Sequence, residues 1–372
     1  MVSSPKTGYN SPIAIHPGET VKETLDLIGM SQKDLSDRSE LSEKTISLII
    51  SGDHPISPES ALKFERVLGL SQRMLLQMYA DYEADLFRLQ EKARLENEIK
   101  LLSEYDCYGE LTKFGFVEKY QDKSRRAEEL LKFFGVNSLS SVPPIMNTDD
   151  ISFRRNTKRK VNSGSLDAWL RMGYLQALKR NTADFDKSVL AMNIEKMRTL
   201  TKLPARDFSK KLIALCAEAG VALVYTPHLK NTFVSGSARW IAPSKALVQV
   251  SLFYKSADIF WFSLFHELGH ILKHSKKTTF VEFENSANSI DKIENEADLF
   301  AQQLLVPSDR EEQYQLLKKS LSRFTFTKQI RDFANTLDLD PGIVAGRIAR
   351  ETGAWKYVSQ LRKHIQFTDE KR

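Results

Sequence analysis

Two histidines four positions apart, His266 and His270, enclose a glutamate, Glu267, directly after the first of them. On a helix, residues with this spacing lie on one face about 6 Å apart along the axis. Both imidazoles can then reach one zinc ion at roughly 2.1 Å, with the glutamate placed to take a proton from a water at the metal. The pattern therefore predicts hydrolytic chemistry. The competing interpretation is a helix with two hydrogen-bonded histidines and no metal.

A hydrolytic zinc site needs a third protein ligand and an open fourth position. His274 continues the same helical face, but its distance from His266 along a straight helix is about 12 Å, which is too far for three histidines to converge. Glu296 follows the second histidine of the pair by 26 residues, within a second run of strong helix formers. We expect this helix to bring Glu296 to the two histidines. The flanking Glu294 and Asp298 are either surface groups or groups that orient a metal-bound imidazole.

Three stretches of sequence resemble the ImmA/IrrE family of metallopeptidases: residues 262–274, residues 294–301 and the Leu-Leu-Val-Pro run that ends at Pro307. Members of that family cleave DNA-binding repressors. The resemblance implies a zincin-like fold, Zn²⁺ as the cofactor, and a repressor-type protein as the substrate, either this chain or a partner. It also implies four site residues: His266, His270 and Glu296 as zinc ligands, and Glu267 as general base. The group that assists at the oxyanion stays open among His274, Tyr254 and Arg347.

The N-terminal part of the chain breaks into five short helical segments, at 18–28, 31–39, 42–50, 57–68 and 71–82. Serine begins four of them, and Gly29, Gly52 and Gly69 mark three ends. The second and third segments, joined by Glu40 and Leu41, form a helix-turn-helix unit whose second helix is expected to enter the major groove of DNA. The alternative is a helical bundle that uses this pattern for protein contacts only. The outward residues of the second helix are Ser42, Glu43, Lys44, Thr45 and Ser47.

Four further runs resemble the HigA subset of lambda-repressor-like (XRE) domains: residues 16–19, 29–35, 41–47 and 56–65. Such domains bind palindromic operators as dimers, and some are antitoxins. The resemblance implies double-stranded operator DNA as a partner, a homodimer, and a toxin as a further partner. Glu43 can accept only from a cytosine amino group and is not assigned to a base. The candidate DNA contacts are Gln32, Ser42, Lys44, Thr45 and Ser47.

We expect a chain that is mainly α with a small β-sheet (α+β). The predicted domains are a five-helix helix-turn-helix domain in residues 1–82, a helical connector and linker in 83–150, and a zincin-like metallopeptidase domain in 151–365. Runs rich in β-branched and aromatic residues predict three strands, at 221–225, 236–241 and 246–251.

Composition is typical of a cytoplasmic regulator. The chain has 54 Lys and Arg against 48 Asp and Glu, a net charge of +6, which is compatible with nucleic-acid binding but too mild to demonstrate it. Neither a leader nor an apolar run of about 18 residues is present, so no membrane partner is expected. Cys107 and Cys216 are expected to be reduced and buried. The basic cluster at 154–160 indicates a solvated loop, with a phosphate contact as the alternative.

Three functions are compatible with these motifs. The first is a regulator that couples operator binding to zinc-dependent proteolysis of a repressor. The second is a repressor or antitoxin whose peptidase-like domain is a non-catalytic sensor, and the third is a general peptidase that uses the helix-turn-helix for dimerisation. The presence of a general base and a full ligand set favours the first. Since a complete zinc site in a cell has to be restrained, we also expect low basal activity.

Overall fold

The structure is a computed structural model that describes residues 12–142, 152–155, 162–251, 255–274, 287–321, 325–358 and 360–365. The chain divides between Lys100 and Leu101 into two compact units. Both are dominated by helices, and the second contains one small sheet, so the predicted α+β class is confirmed. Within the described ranges, no helix is both long and apolar enough to cross a membrane.

The N-terminal helices begin and end at local sequence signals. The side chains of Ser31, Ser42 and Ser57 each accept a backbone N–H of the following helix, which satisfies a donor that the first helical turn leaves open. Left-handed glycines end three of the helices. The five helices are α1 (Gly18–Ile28), α2 (Gln32–Ser39), α3 (Glu43–Ser51), α4 (Pro58–Leu68) and α5 (Gln72–Leu101).

Helices α2 and α3 form the predicted helix-turn-helix unit. The turn passes through Glu40, whose φ of 58° lies in the left-handed region. Leu35 from α2 and Ile46 and Ile49 from α3 are fully buried in the core of this unit, together with Phe64 from α4. One face of α3 is thereby fixed against the core, which leaves the other face for a partner.

The C-terminal unit contains the remaining elements. Its helices are α6 (Tyr108–Lys113), α7 (Lys123–Phe134), α8 (Ser163–Leu178), α9 (Lys187–Thr199), α10 (Ala205–Glu218), α11 (Ala257–Lys273), α12 (Ala287–Leu305), α13 (Glu311–Ser320), α14 (Phe326–Thr336), α15 (Pro341–Thr352) and α16 (Trp355–Val358). Its strands are β1 (Ser152–Arg155), β2 (Val221–Tyr225), β3 (Val234–Ala242) and β4 (Lys245–Val250). Short 3₁₀ turns lie at Leu102–Glu104, Leu139–Ser141, Leu200–Lys202 and Ser308–Arg310.

The predicted domain boundaries differ from the division that the structure shows. Helix α5 runs through the expected end of the first domain at residue 82 and reaches Leu101. The connector that follows packs on the C-terminal unit: Arg171 Nε donates to the Phe133 carbonyl at 2.7 Å, and the Lys230 N–H donates to a Glu110 carboxylate oxygen at 3.0 Å. Residues 101–142 therefore belong to the second unit.

The sheet has the strand order β1-β3-β4-β2. Strands β2 and β4 are parallel, whereas β3 is antiparallel to both of its neighbours. The three strands expected from the sequence correspond to β2, β3 and β4 within one or two residues at each end, and β1 is an addition that the sequence did not indicate. Helix α11 packs against β3 and β4 on one side and against α12 and α15 on the others.

A glycine in α11 allows the close packing of α12. A Cβ atom added at Gly269 would lie 2.9 Å from Cδ1 of Phe300 and 3.6 Å from Cα of Ala297, both in α12. Distances below about 3 Å are steric overlap for carbon atoms, whose optimal separation is about 3.5–4.0 Å. Gly269 therefore sets how near the side chains of α12 come to those of α11.

The start of α11 is fixed by residues close to the end of the chain. The Ala257 N–H donates to the Lys363 carbonyl at 2.9 Å, and the Ile365 N–H donates to the Lys255 carbonyl at 3.0 Å. The buried carboxylate of Asp258 accepts from Arg362 Nε at 3.1 Å, an interaction across 104 positions of sequence. The C-terminal segment thus anchors the helix that carries the two histidines.

Replacing Gly269 by valine is expected to lower the free energy of unfolding of the C-terminal unit by about 1–3 kcal/mol, because the added carbons overlap α12. All four tryptophans lie in this unit, so guanidinium unfolding followed by tryptophan fluorescence measures it selectively. Gly109→Val is the matched control, because nothing lies within 4 Å of a Cβ at Gly109. Equal effects of the two substitutions would contradict the packing role of Gly269.

Candidate metal centre and hydrolytic site

Two helices bring two imidazoles and one carboxylate to a common point. His266 and His270 on α11 place their Nε2 atoms 3.0 Å apart. Glu294 on α12 lies against both, with one oxygen 3.3 Å from His266 Nε2 and the other 3.4 Å from His270 Nε2. Both histidines are almost completely buried. One ligand atom from each residue falls within 4.8 Å of the others, which is the spacing that a single metal ion requires.

The predicted third ligand, Glu296, does not join this group, and Glu294 takes its place. Each residue of a helix turns the chain by about 100°, so Glu296 lies about 200° around α12 from Glu294. Its carboxylate is half-exposed and faces His274, with 3.9 Å between Glu296 Oε2 and His274 Nδ1. The prediction located the correct helix but the wrong face of it.

Asp298 supports the first histidine from behind. Its Oδ1 atom is 2.8 Å from His266 Nδ1, and it lies one helical turn after Glu294 on the same face of α12. An Nδ1–H that donates to this carboxylate leaves the Nε2 lone pair directed at the common point. Of the two roles considered for Asp298, this geometry matches the orientation of an imidazole.

The electrostatics of the cluster favour a cation at the common point. Burial lowers the pKa of His266, but hydrogen bonds to Asp298 and Glu294 outweigh it and raise that pKa to about 9. Burial raises the pKa of Glu294, but hydrogen bonds to the two histidines bring it down to about 2. Burial, with the neighbouring His266, lowers the pKa of His270. Only one of the two facing Nε2 atoms can carry a proton, so a proton and a metal cation compete for the space between them. Two imidazoles and a carboxylate are a donor set that fits zinc.

Glu267 lies between α11 and strand β3. Its side chain is fully buried, and a Cβ atom added at Gly236 of β3 would be only 2.7 Å from Glu267 Oε1. The absence of a side chain at Gly236 is thus what permits this strand to touch the glutamate. Sequence reasoning did not single out Gly236, although a glycine inside a strand is a recognised signal of close backbone approach.

The three residues considered for the oxyanion fall in different places. His274 is the residue that ends α11, and it faces Glu296. Arg347 on α15 is held by ion pairs of 2.9 Å to both Glu311 and Glu351, and its guanidinium carbon lies 4.1 Å from the ring centroid of Tyr314. Those contacts give Arg347 a structural role. Tyr254 lies outside the described residues.

The candidate DNA contacts lie at the starts of α2 and α3. Gln32, Lys44 and Ser47 are exposed, whereas Thr45 is half-buried. Ser42 acts as the cap of α3: its Oγ accepts the Thr45 N–H at 3.1 Å and lies 2.8 Å from the Thr45 hydroxyl. Two of the five candidate side chains, those of Ser42 and Thr45, are therefore already engaged at the cap of α3 when no DNA is bound. Of the basic cluster at 154–160, residues 156–160 lie outside the described ranges.

Comparisons with known proteins agree with this division of the chain. Residues 21–71 match a family model described as helix-turn-helix, and residues 254–328 match the M78 peptidase family model described as the IrrE N-terminal-like domain. The uncharacterised HTH-type transcriptional regulator YddM of Escherichia coli (strain K12) is 31% identical over 62 residues, which cover 17% of this chain and 66% of that protein.

A solved structure is also similar to part of the chain. It is an addiction module antidote protein of the HigA family from Coxiella burnetii, with 22% sequence identity and a TM-score of 0.21, covering 23% of this chain and 94% of that one. The two family matches fall on the helix-turn-helix of the N-terminal unit and on the helices that bring His266, His270 and Glu294 together. The chain therefore contains an N-terminal region that matches the helix-turn-helix model, of XRE-like type, and a C-terminal region that matches the IrrE N-terminal-like model of the M78 peptidases.

Proposed function

We propose that this protein is a DNA-binding transcriptional regulator whose C-terminal site hydrolyses a peptide bond with the help of zinc. The substrate in this proposal is a repressor-type protein, either this chain or a partner. The observation that supports it most directly is the convergence of His266, His270 and Glu294 beside the fully buried Glu267. A ligand set of two imidazoles and one carboxylate leaves a fourth position open, as catalytic zinc sites do.

The residues divide into those that hold the metal and those that act on the substrate. His266, His270 and Glu294 are the ligands, and Asp298 fixes the ring of His266. When bound at such a site, zinc acts as a Lewis acid and lowers the pKa of a water to about 7. Glu267 takes the proton of the attacking water and delivers it to the leaving amine. General acid–base catalysis of this kind accelerates a reaction by roughly 10²–10⁴-fold.

Burial of Glu267 suits this role. Contact with the backbone at Gly236 restricts where its oxygens can move. A general base has to be held within hydrogen-bond reach of the proton that it removes. The packing of β3 against α11 restricts Glu267 in this way.

In this proposal, the N-terminal domain directs the regulator to its operator DNA. In the proposal, α3 enters the major groove, and Gln32, Lys44 and Ser47 are the exposed side chains that reach phosphates or base edges. A homodimer on a palindromic operator and a toxin partner remain predictions from the family resemblance.

Zinc affinity separates the two glutamates of α12. We expect Glu294→Gln to weaken zinc binding by about 100-fold or more, since loss of even a supporting hydrogen bond costs about 10–100-fold. Glu296→Gln is the matched control two residues away, and we expect less than about a threefold change, as for other surface substitutions. The measurement is a competitive titration against a chromogenic chelator. Selective loss in the Glu296→Gln protein would show that α12 presents its other face to the metal.

Salt dependence tests the DNA interface. Lys44→Ala is expected to lower the slope of log K against log salt by about 1, as loss of one phosphate contact does. The control is Lys63→Ala, because Lys63 lies on α4 and pairs with Glu59 at 3.0 Å. Binding to DNA from the protein's own promoter region is measured by fluorescence anisotropy at several salt concentrations. An unchanged slope for Lys44→Ala would remove this residue from the interface.

Glu267→Gln tests proteolysis as the switch. The substitution keeps the size of the side chain and removes the base, so we expect operator repression to persist and release of the promoter to be lost. Expression from a reporter under the protein's own promoter is compared for the wild type and Glu267→Gln, before and after DNA damage or phage challenge. If both proteins release the promoter equally, hydrolysis is not the switch and the C-terminal domain acts as a sensor.

A further inference from the structure

One edge of the strand beside the general base is covered by the chain itself. Strand β3 has β4 on one side and β1 on the other. In the antiparallel register of β1 and β3, Arg154 lies opposite Gly236, the residue that touches Glu267, and Phe153 lies opposite Ser237. The regular pairing shifts between Arg154 and Arg155, directly after this point. The backbone edge nearest the base is therefore already paired.

An uncovered strand edge at this position is a binding site for an extended peptide. Strand edges present unpaired N–H and C=O groups, and a segment of another chain pairs with them by β-strand addition. Hydrolysis requires the scissile bond to be held close to the base in a fixed orientation. Because Gly236 has no side chain, β3 is the strand whose edge can hold a peptide next to Glu267.

We propose that β1 is an inhibitory strand that occupies the edge of β3 on which an extended segment of a substrate protein pairs. This inference rests on the proposed peptidase function and adds to it the class of substrate, an unfolded segment that binds as a strand, and the means of restraint. Strand β1 has four residues, fewer than the usual length of about five to six. A strand this short is easier for a competing strand to displace. Displacement of β1 opens the edge to substrate.

Peptide binding without turnover tests the proposal. Two variants are made in the Glu267→Gln protein: Phe153→Pro with Arg154→Pro, and Phe153→Ala with Arg154→Ala. Because successive N–H groups of a strand point to opposite sides, one of the two prolines removes a donor to β3, whereas both alanines keep theirs. The probe is a fluorescein-labelled peptide with the sequence of residues 149–157. Its binding is followed by anisotropy, and amide exchange of residues 234–238 is followed by mass spectrometry.

We expect the proline pair to bind the peptide about 10-fold more tightly than the Glu267→Gln parent. This is the gain expected if β1 covers the edge of β3 about nine-tenths of the time in the parent and leaves it free in the proline pair. Exchange of the β3 amides should accelerate in the proline pair and slow again when the peptide is added, and the alanine pair should resemble the parent. Equal peptide affinity and equal exchange in the proline pair and the parent would overturn the proposal. Cleavage of the wild-type chain within residues 152–155 would also overturn it, because β1 would then be a substrate.

A disulfide gives a second measurement if the proline pair does not fold. Ser152 and Ala238 are directly opposite in the register, and opposite residues of antiparallel strands lie within the Cα separation that a disulfide spans. With both replaced by cysteine, the oxidised protein is expected to bind the peptide about 10-fold more weakly than the same protein after reduction. The native Cys107 and Cys216 are buried, and burial raises the pKa of Cys107 to about 12, so neither competes. Equal binding before and after reduction counts against the proposal.

The two proposals fail in different ways. Peptide binding by the Glu267→Gln proteins needs neither zinc nor turnover. Tighter binding by the proline pair together with no cleavage of any repressor by proteins that retain Glu267 would reject the peptidase and keep the assignment of β1. Cleavage of a repressor by the wild type together with equal peptide binding would reject the inhibitory strand and keep the peptidase.

Discussion

Helix α11 carries three ionisable side chains into the interior of the C-terminal unit, and the surrounding structure depends on compensating them. His266, Glu267 and His270 are each at most 5% exposed, and an uncompensated charge in such surroundings costs several kcal/mol. Helix α12 compensates the two histidines through two carboxylates on one face, Glu294 and Asp298. The two glycines that bring neighbouring elements close, Gly236 and Gly269, make this possible. The arrangement that neutralises the two imidazoles is therefore also the arrangement that brings the three candidate metal ligands together.

The parts of the fold with local causes could be predicted from the sequence. Four of the N-terminal helices begin and end within one residue of the predicted positions, because serine caps and left-handed glycines act on neighbouring residues alone. Strand β2 also has the bounds that its β-branched residues predicted. No glycine or proline interrupts residues 72–101, so α5 continues past residue 82 as one helix to Leu101.

The choice between Glu294 and Glu296 depended on which face of α12 is buried. The sequence contains a signal for it that the prediction did not use. Ala297 and Ala301 are four residues apart and fully buried, and Glu294 lies within about 60° of both on the helical circumference, whereas Glu296 is on the far side. Small residues with helical spacing mark the face that approaches another helix. The pairing of β1 with β3 had no such signal, since partner strands separated by about 80 residues are selected by the folded structure.

The anchoring of α11 by the end of the chain has a consequence for biosynthesis. Asp258 and its partner Arg362 are separated by 104 positions, which a ribosome needs roughly 5–20 s to translate. The N-terminal unit, which is compact in itself, is complete long before that. During this interval a nascent chain has its helix-turn-helix but lacks the residues that anchor the start of its histidine helix. The order of translation thus leaves the histidine helix without this contact until Arg362 has been made.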